Sequence, residues 1–318
     1  MTDVPKQLRQ VGGGAYAYVQ HDGSWGWSNS GLIVDGDQAL VVDTLFDLRL
    51  TRELLDAYGR VLPAGASITT LVNSHANGDH TFGNQLLPGV RIVATRATAE
   101  EMADVPPLLL AALMRQAPQM GPLGEFLERI FGPFEFDGIE LSLPTETFDG
   151  ELKLTVGAKQ VRLVEVGPAH TRGDTIVVVP ADRVVYTADI LFAGSHPIMW
   201  EGPVENWVRA LELVLELDVD TVVPGHGPVT DKRAVAAMRD YLTYLDREAR
   251  ARFDAGMSVM DAALDISLAD FASWGEAERV VANVRTLYRG YSGAERATAP
   301  EVLAEMAEWD RRRQPAGR

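Results

Sequence analysis

A chain of 318 residues, 46% hydrophobic and 23% charged, is long enough for one large domain or two small ones with an ample core. Its 45 Asp and Glu against 29 Lys and Arg leave a net charge of −16, which argues against nucleic acid as a partner, because phosphate-backbone binding relies on clustered cations. The absence of cysteine excludes disulfides, thiolate ligands and a cysteine nucleophile together.

The opening Met1-Thr2-Asp3-Val4-Pro5-Lys6 has no apolar leader-like run, and no stretch approaches ~18 apolar residues. A cytoplasmic protein without membrane contact is therefore expected. Short β-type runs come first, at residues 15–20, 31–35 and 39–43, the last two separated by the hairpin signal Gly36-Asp37. Leu48, Leu50, Leu54, Leu55, Tyr58 and Val61 fall on one face and predict a helix over 48–61. A strand at 68–72 delivers the loop that begins at His75, and a strand at 90–94 precedes a helix. Residues 97–147 read as two short apolar helices inserted between strands. Two uses of them stay open: packing against a sheet, or a lid whose Leu109 and Phe131 meet substrate. Strands follow at 152–156, 161–166, 175–179 and 184–187, then a helix at 205–217 and a short strand at 221–223. Mixed strands and helices predict an α/β fold over residues 1–230. From Asp231 to residue 318 the pattern is nearly all helical, ending in Arg311-Arg312-Arg313-Gln314-Pro315. This extension is expected to pack on the core, and it could also carry a homodimer contact.

Chemistry concentrates in His75-Ala76-Asn77-Gly78-Asp79-His80, directly after the apolar Thr70-Leu71-Val72-Asn73. Two imidazoles, a carboxylate and an amide at a strand end suit a borderline cation such as Zn²⁺, which takes imidazole nitrogen and carboxylate oxygen together. His170 stands in Gly167-Pro168-Ala169-His170-Thr171, His226 in Pro224-Gly225-His226-Gly227-Pro228, and a lone Asp189 follows the strand-like Val184-Val185-Tyr186-Thr187-Ala188. Four of the six histidines thus sit after strands. No Gly-x-Ser-x-Gly elbow is present, and Gly12-Gly13-Gly14 lacks the lysine of a phosphate loop. His21 falls in an N-terminal turn and is expected to be exposed.

The order His75-x-Asn77-x-Asp79-His80, then His170, Asp189 and His226 resembles the metallo-β-lactamase superfamily, over about residues 15–230. That resemblance implies a four-layer αββα sandwich and two metal sites side by side. The first would take His75, Asn77, His170 and a bridging Asp189; the second would take Asp79, His80, His226 and the same Asp189. The family hallmark has a histidine where Asn77 stands. A neutral amide is a poorer zinc donor than imidazole, so the first site is expected to be the weaker. Asn77 itself can be a weak ligand, a hydrogen bonder behind the ligands, or the mark of a degenerate site. Val41-Val42-Asp43-Thr44 resembles the family's early Asp motif, which implies that Asp43 braces the metal loop through hydrogen bonds.

The resemblance implies a metal-dependent hydrolase holding one or two zinc ions, with iron or manganese as alternatives. Metal-bound hydroxide would attack an ester, thioester, lactone or amide, with Asp79 orienting or deprotonating the water. Trp25, Trp27, Leu109, Phe131, Phe134, Met199 and Trp200 suggest a pocket for an apolar or aromatic small molecule. His196, shortly after Asp189, is expected to face it together with Trp200. A true β-lactamase is disfavoured, because those enzymes commonly place a cysteine at the second site. Two other readings remain: a mononuclear iron oxygenase built on His75, His170 and Asp189, and a metal-depleted binding protein.

Overall fold

The computed structural model describes residues 6–20 and 22–313. His21, the first five residues and the tail from Gln314 lie outside the described residues, and so do the expectations made for them.

The first half runs β1 (Lys6–Gln10), β2 (Ala15–Gln20), β3 (Ser30–Asp35), β4 (Gln38–Val42), α1 (Leu48–Gly59), β5 (Ser67–Val72), α2 (Gly78–Thr81) and β6 (Arg91–Thr95). The insertion holds α3 (Arg96–Asp104), α4 (Pro107–Gln116) and α5 (Pro122–Phe131). Then come β7 (Glu146–Phe148), β8 (Glu151–Val156), β9 (Lys159–Glu165), β10 (Thr175–Val179), β11 (Val184–Phe192), α6 (Val204–Glu216) and β12 (Thr221–His226). Four α-helices follow among the described residues: α7 (Lys232–Asp254), α8 (Val259–Asp265), α9 (Arg279–Ser292) and α10 (Ala299–Arg313).

Among the described residues the strands form two sheets, ordered β1-β2-β3-β4-β5-β6-β7 and β12-β11-β10-β9-β8. Alternation along each strand explains why they stack. Ile33, Leu40 and Val42 of one sheet share a buried cluster with Val177, Val179, Val184 and Tyr186 of the other. Their neighbours Leu32, Val41, Ile176, Val178 and Val185 face outward into the cluster that also holds helical side chains such as Leu50, Leu54, Trp207 and Leu242. Side chains of period two line both faces, so each sheet needs helices on its outer side. The result is the expected αββα sandwich with a helical C-terminal extension. β4, β5 and β6 run parallel, as do β11 and β12, so their carboxyl ends gather at one edge, where such sheets place their ligands.

Two strands went unforeseen. β1 is the polar run KQLRQ and β7 only three residues long, and neither carries an alternating apolar signal. β11 and β12 extend past the expected limits, to Phe192 and His226. Asp189 therefore lies inside a strand rather than after one. The pairing of β11 with β12 shifts register at Ala188, whose φ of 43° is left-handed, and this bulge re-aims the next side chain.

The two side chains of the insertion expected to meet substrate are placed differently. Phe131 is 8% exposed and packs edge-on against Trp25, Phe46 and Phe136, whereas Leu109 on α4 is 57% exposed. Phe131 connects to the metal loop through Phe46 and Phe136, both of which meet Phe82, the ring against which Gly78 sits. An aromatic cluster of this kind excludes water and supports the loop from below. Phe131→Ala is accordingly expected to cost ~3–5 kcal/mol and Leu109→Ala less than ~0.5 kcal/mol, read by chemical denaturation.

Candidate metal centre

Asp43, at the end of β4, has a left-handed φ of 60°. Its carboxylate accepts from Ser74 N at 2.7 Å, Ser74 Oγ at 2.6 Å and His80 Nδ1 at 2.9 Å. Ser74 Oγ also lies 2.9 Å from His75 Nδ1. One buried carboxylate thereby orients both imidazoles of the metal loop, the bracing expected of Asp43. With their Nδ1 atoms so engaged, His75 and His80 present Nε2 to a common space. Ser28 Oγ donates to the Asp79 carbonyl, and Asn29 Nδ2 donates to the carbonyls of Pro224 and Gly227 at 2.9 and 2.8 Å. These ties fasten the metal loop to the strand end that carries His226.

Asp189 is the hub. Its carboxylate lies 3.8 Å from His75 Nε2, 3.1 Å from His80 Nε2, 3.3 Å from His170 Nε2 and 3.5 Å from His226 Nε2. Asp79 Oδ2 lies 3.2 Å from His226 Nε2. All these side chains are buried or nearly so. Burial pushes the His75 and His170 imidazoles down from their ordinary pKa. It would do the same to His80 and His226, but Asp189 and Asp79 raise both instead. Burial would likewise raise the two carboxyls; the surrounding histidines hold Asp79 down to about 2 and Asp189 well below its usual range. The cluster thus gathers mutually opposed charges rather than forming a neutral core.

His75 Nε2, His80 Nε2 and Asp189 Oδ1 are buried with no hydrogen-bond partner among the described residues. His75, His80 and Asp189 each bring one donor atom within 4.8 Å of the others, and Asp79, His80 and His226 do the same. Orphaned lone pairs on nitrogen and oxygen in this proportion fit a divalent metal such as zinc. The grouping differs from the expected sets: His80 belongs to both, Asp189 to the first alone, and His170 to neither. His170 Nδ1 lies 2.7 Å from the Ile198 carbonyl, which can only accept, so Nε2 is the bare nitrogen. The Asn77 amide donates to that nitrogen across 3.1 Å. Asn77 therefore stands as a hydrogen bonder to His170 Nε2.

His196 does not face this space. Its ring is fully buried between Tyr241 and Trp274, so the substrate contact expected of it is withdrawn. Burial, helped by nearby Arg279, pushes its pKa down to about 4. Trp200 is half-buried and lines a cavity of about 260 Å³ shared with Met199, Phe253, Tyr288 and Val302, while its backbone N donates to the His170 carbonyl at 3.1 Å. Sequence reading passed over Ser74, Ser28 and Asn29. Nothing in their local pattern separates them from ordinary loop residues, although Ser74 adjoins His75.

The family model described as Metallo-beta-lactamase superfamily matches residues 23–226. The alpha subunit of 2,4-dinitroanisole O-demethylase from Nocardioides sp. (strain JS1661) is 28% identical over 61% of this chain and 51% of its own length. A metallo-beta-lactamase type 2 from Bacillus sp. (strain 170) is 24% identical over 67% of this chain and 72% of its own. Among solved structures, the stereoselective inverting sec-alkylsulfatase Pisa1 from Pseudomonas sp. superposes with a TM-score of 0.67 at 18% identity, covering 92% of this chain and 51% of that one. A metallo-beta-lactamase from Pontibacter korlensis gives 0.55 at 16% identity, covering 75% and 99%. The chain thus spans about half the length of the demethylase subunit and of the sulfatase. With the ligand-type residues of two adjoining sites gathered at one sheet edge and the family match running from the 22–27 loop to His226, this chain belongs to the metallo-beta-lactamase superfamily.

Proposed function

We propose that the chain is a zinc-dependent hydrolase that opens an ester, thioester, lactone or amide of an apolar or aromatic small molecule. The observation that carries this reading is the Asp189 carboxylate within 3.8 Å of four imidazoles, with donor atoms left unpartnered. His75, His80, His226, Asp79 and Asp189 would hold the metal, with His170 joining when the Asn77 amide turns away. A bound divalent ion supplies a water of lowered pKa and polarises the bond to be cleaved. Asp79, whose carboxyl the neighbouring histidines hold down to about 2, would orient the attacking water by accepting its hydrogen bond. Half-buried Trp27, tilted against Phe134 at 4.9 Å, supports an apolar substrate. The acidic balance supports a small molecule rather than nucleic acid as partner. Among the described residues no helix is long and apolar enough to cross a membrane.

The test is metal content of protein purified without added metal, followed by a panel of esters, thioesters and lactones. An aryl methyl ether, a secondary alkyl sulfate and a β-lactam join the panel because of the relatives' names. Zinc or manganese, one equivalent tight and a second weak, with hydrolysis lost to chelator and restored by metal, is the expected result. Iron with oxygen uptake and no hydrolysis would replace this reading by the oxygenase, and a protein that binds no metal would end it.

A further inference from the structure

We propose that α9 positions His170, with Asn283 and Thr286 as positioning residues acting through the backbone of residues 196–201. That segment runs between β11 and α6 without a sheet neighbour along 196–200, so its buried peptide groups need partners from elsewhere. One face of α9 provides them. Arg279 Nη1 donates to the His196 carbonyl at 3.0 Å. Asn283 Nδ2 donates to the Pro197 carbonyl at 2.8 Å, while its Oδ1 accepts from Met199 N at 2.7 Å. Thr286 Oγ1 donates to the Met199 carbonyl at 2.7 Å, and the Arg289 guanidinium donates to the Glu201 carbonyl. Positions 279, 283, 286 and 289 advance by four, three and three, which keeps them on one helix face.

The opposite side of the same segment holds His170. The Ile198 carbonyl faces His170 Nδ1 at 2.7 Å, and Trp200 N and Glu201 N donate to the His170 carbonyl at 3.1 and 3.2 Å. Over residues 197–200 the peptide groups at 197 and 199 are thus committed to α9 and those at 198 and 200 to His170, while Glu201 serves both. Because the groups alternate, a slip of the segment on α9 would swing the Ile198 carbonyl away from Nδ1 and release the imidazole's orientation. A ligating histidine owes its tautomer and ring direction to such a partner on its second nitrogen. Asn283 is 0% exposed, so water cannot stand in for its amide. The family match ends at residue 226, well before α9. The C-terminal helices of this chain are on this view part of its metal site.

The full chain is tested as wild type, Asn283→Ala, Thr286→Val, Thr286→Ser and, as control, Leu287→Ala, a buried truncation on the same helix. The first readout is exchange of the His170 Nδ1 proton with water in chelator-treated protein, by NMR. The second is titration with cobalt(II), and it alone rests on the metal reading above. Asn283→Ala and Thr286→Val are expected to speed exchange by about tenfold or more. They should also weaken the looser cobalt equivalent by about 10–100-fold while leaving the tighter one unchanged. Thr286→Ser should restore both, and Leu287→Ala should lower the melting temperature while moving neither. Unchanged exchange in Thr286→Val, or an equal change in Leu287→Ala, would overturn the proposal. If Asn283→Ala fails to fold, the nearly isosteric Thr286→Val carries the test. A wild type that takes up no cobalt would refute the metal reading, and the exchange data would still decide the role of α9.

Discussion

Asp189→Asn should empty both metal positions and lower hydrolysis by more than about 10³-fold, the equivalent of about 4 kcal/mol in transition-state stabilisation. One carboxylate lies within 3.8 Å of His75, His80, His170 and His226. Asn keeps the size and loses the charge, so packing is preserved and electrostatics alone are tested. Metal analysis of the purified variant and one rate measurement check the result; a variant that keeps a full equivalent and its activity would remove Asp189 from the centre. The metal-free proteins add a pH signature. Asp189 helps to raise the pKa of His80 and His226. A raised histidine contributes stability that is fully present below its unfolded pKa, 6.5 by the ordinary value, and lost as pH climbs through the folded one. Wild type should therefore melt above Asp189→Asn by more at pH 5.5 than at pH 9, measured on chelated protein. A gap that widens with pH would contradict the charge pairing.

Gly225→Ala should damage fold and centre together. A Cβ at Gly225 would fall 1.9 Å from Asp189 Oδ1 and 2.6 Å from the Ala188 carbonyl carbon, distances no real methyl tolerates. Either β11 and β12 part locally or the Asp189 side chain rotates away from the histidines. Overpacking of this kind costs ~1–3 kcal/mol, a fall of roughly 2–4 °C in melting temperature per kcal/mol for a chain of this size. Metal content should fall with it. Gly290 on α9 gives the contrast: nothing lies within 4 Å of its added Cβ, so Gly290→Ala should be neutral or stabilising by up to about 1 kcal/mol. Calorimetry and metal analysis of the two variants separate a general intolerance of alanine from the specific collision with Asp189.

Local pattern alone placed most of the frame. β2 and β10 coincide with the predicted runs, α1 starts at the predicted Leu48, and Gly36-Asp37 does connect antiparallel β3 and β4. Such signals are short-ranged: alternation, a helical face and a turn dipeptide are each complete within a dozen residues. The metal loop was legible for the same reason, being six residues long. His170, Asp189 and His226 could be joined to it only through resemblance, since no spacing rule connects positions so far apart.

Other features depend on which surfaces meet, and these only the tertiary structure decided. His196 and Phe131 looked like site residues because they lie near Asp189 or in an apolar insertion. Packing against Tyr241 and Trp274, and against Trp25 and Phe46, made both of them core. Asn77 left three roles open, from weak ligand to hydrogen bonder to mark of a degenerate site, and its amide faces His170 Nε2 while the Ile198 carbonyl holds the other nitrogen. α9 read as a covering helix, and its polar face became a grip on residues 196–201 only once the C-terminal extension had docked. The amino-acid sequence by itself determined the periodicities and the inventory of ligands. Burial, tautomer and the partner of each buried peptide group arise from contacts between distant segments, and no window of sequence contains both sides of such a contact.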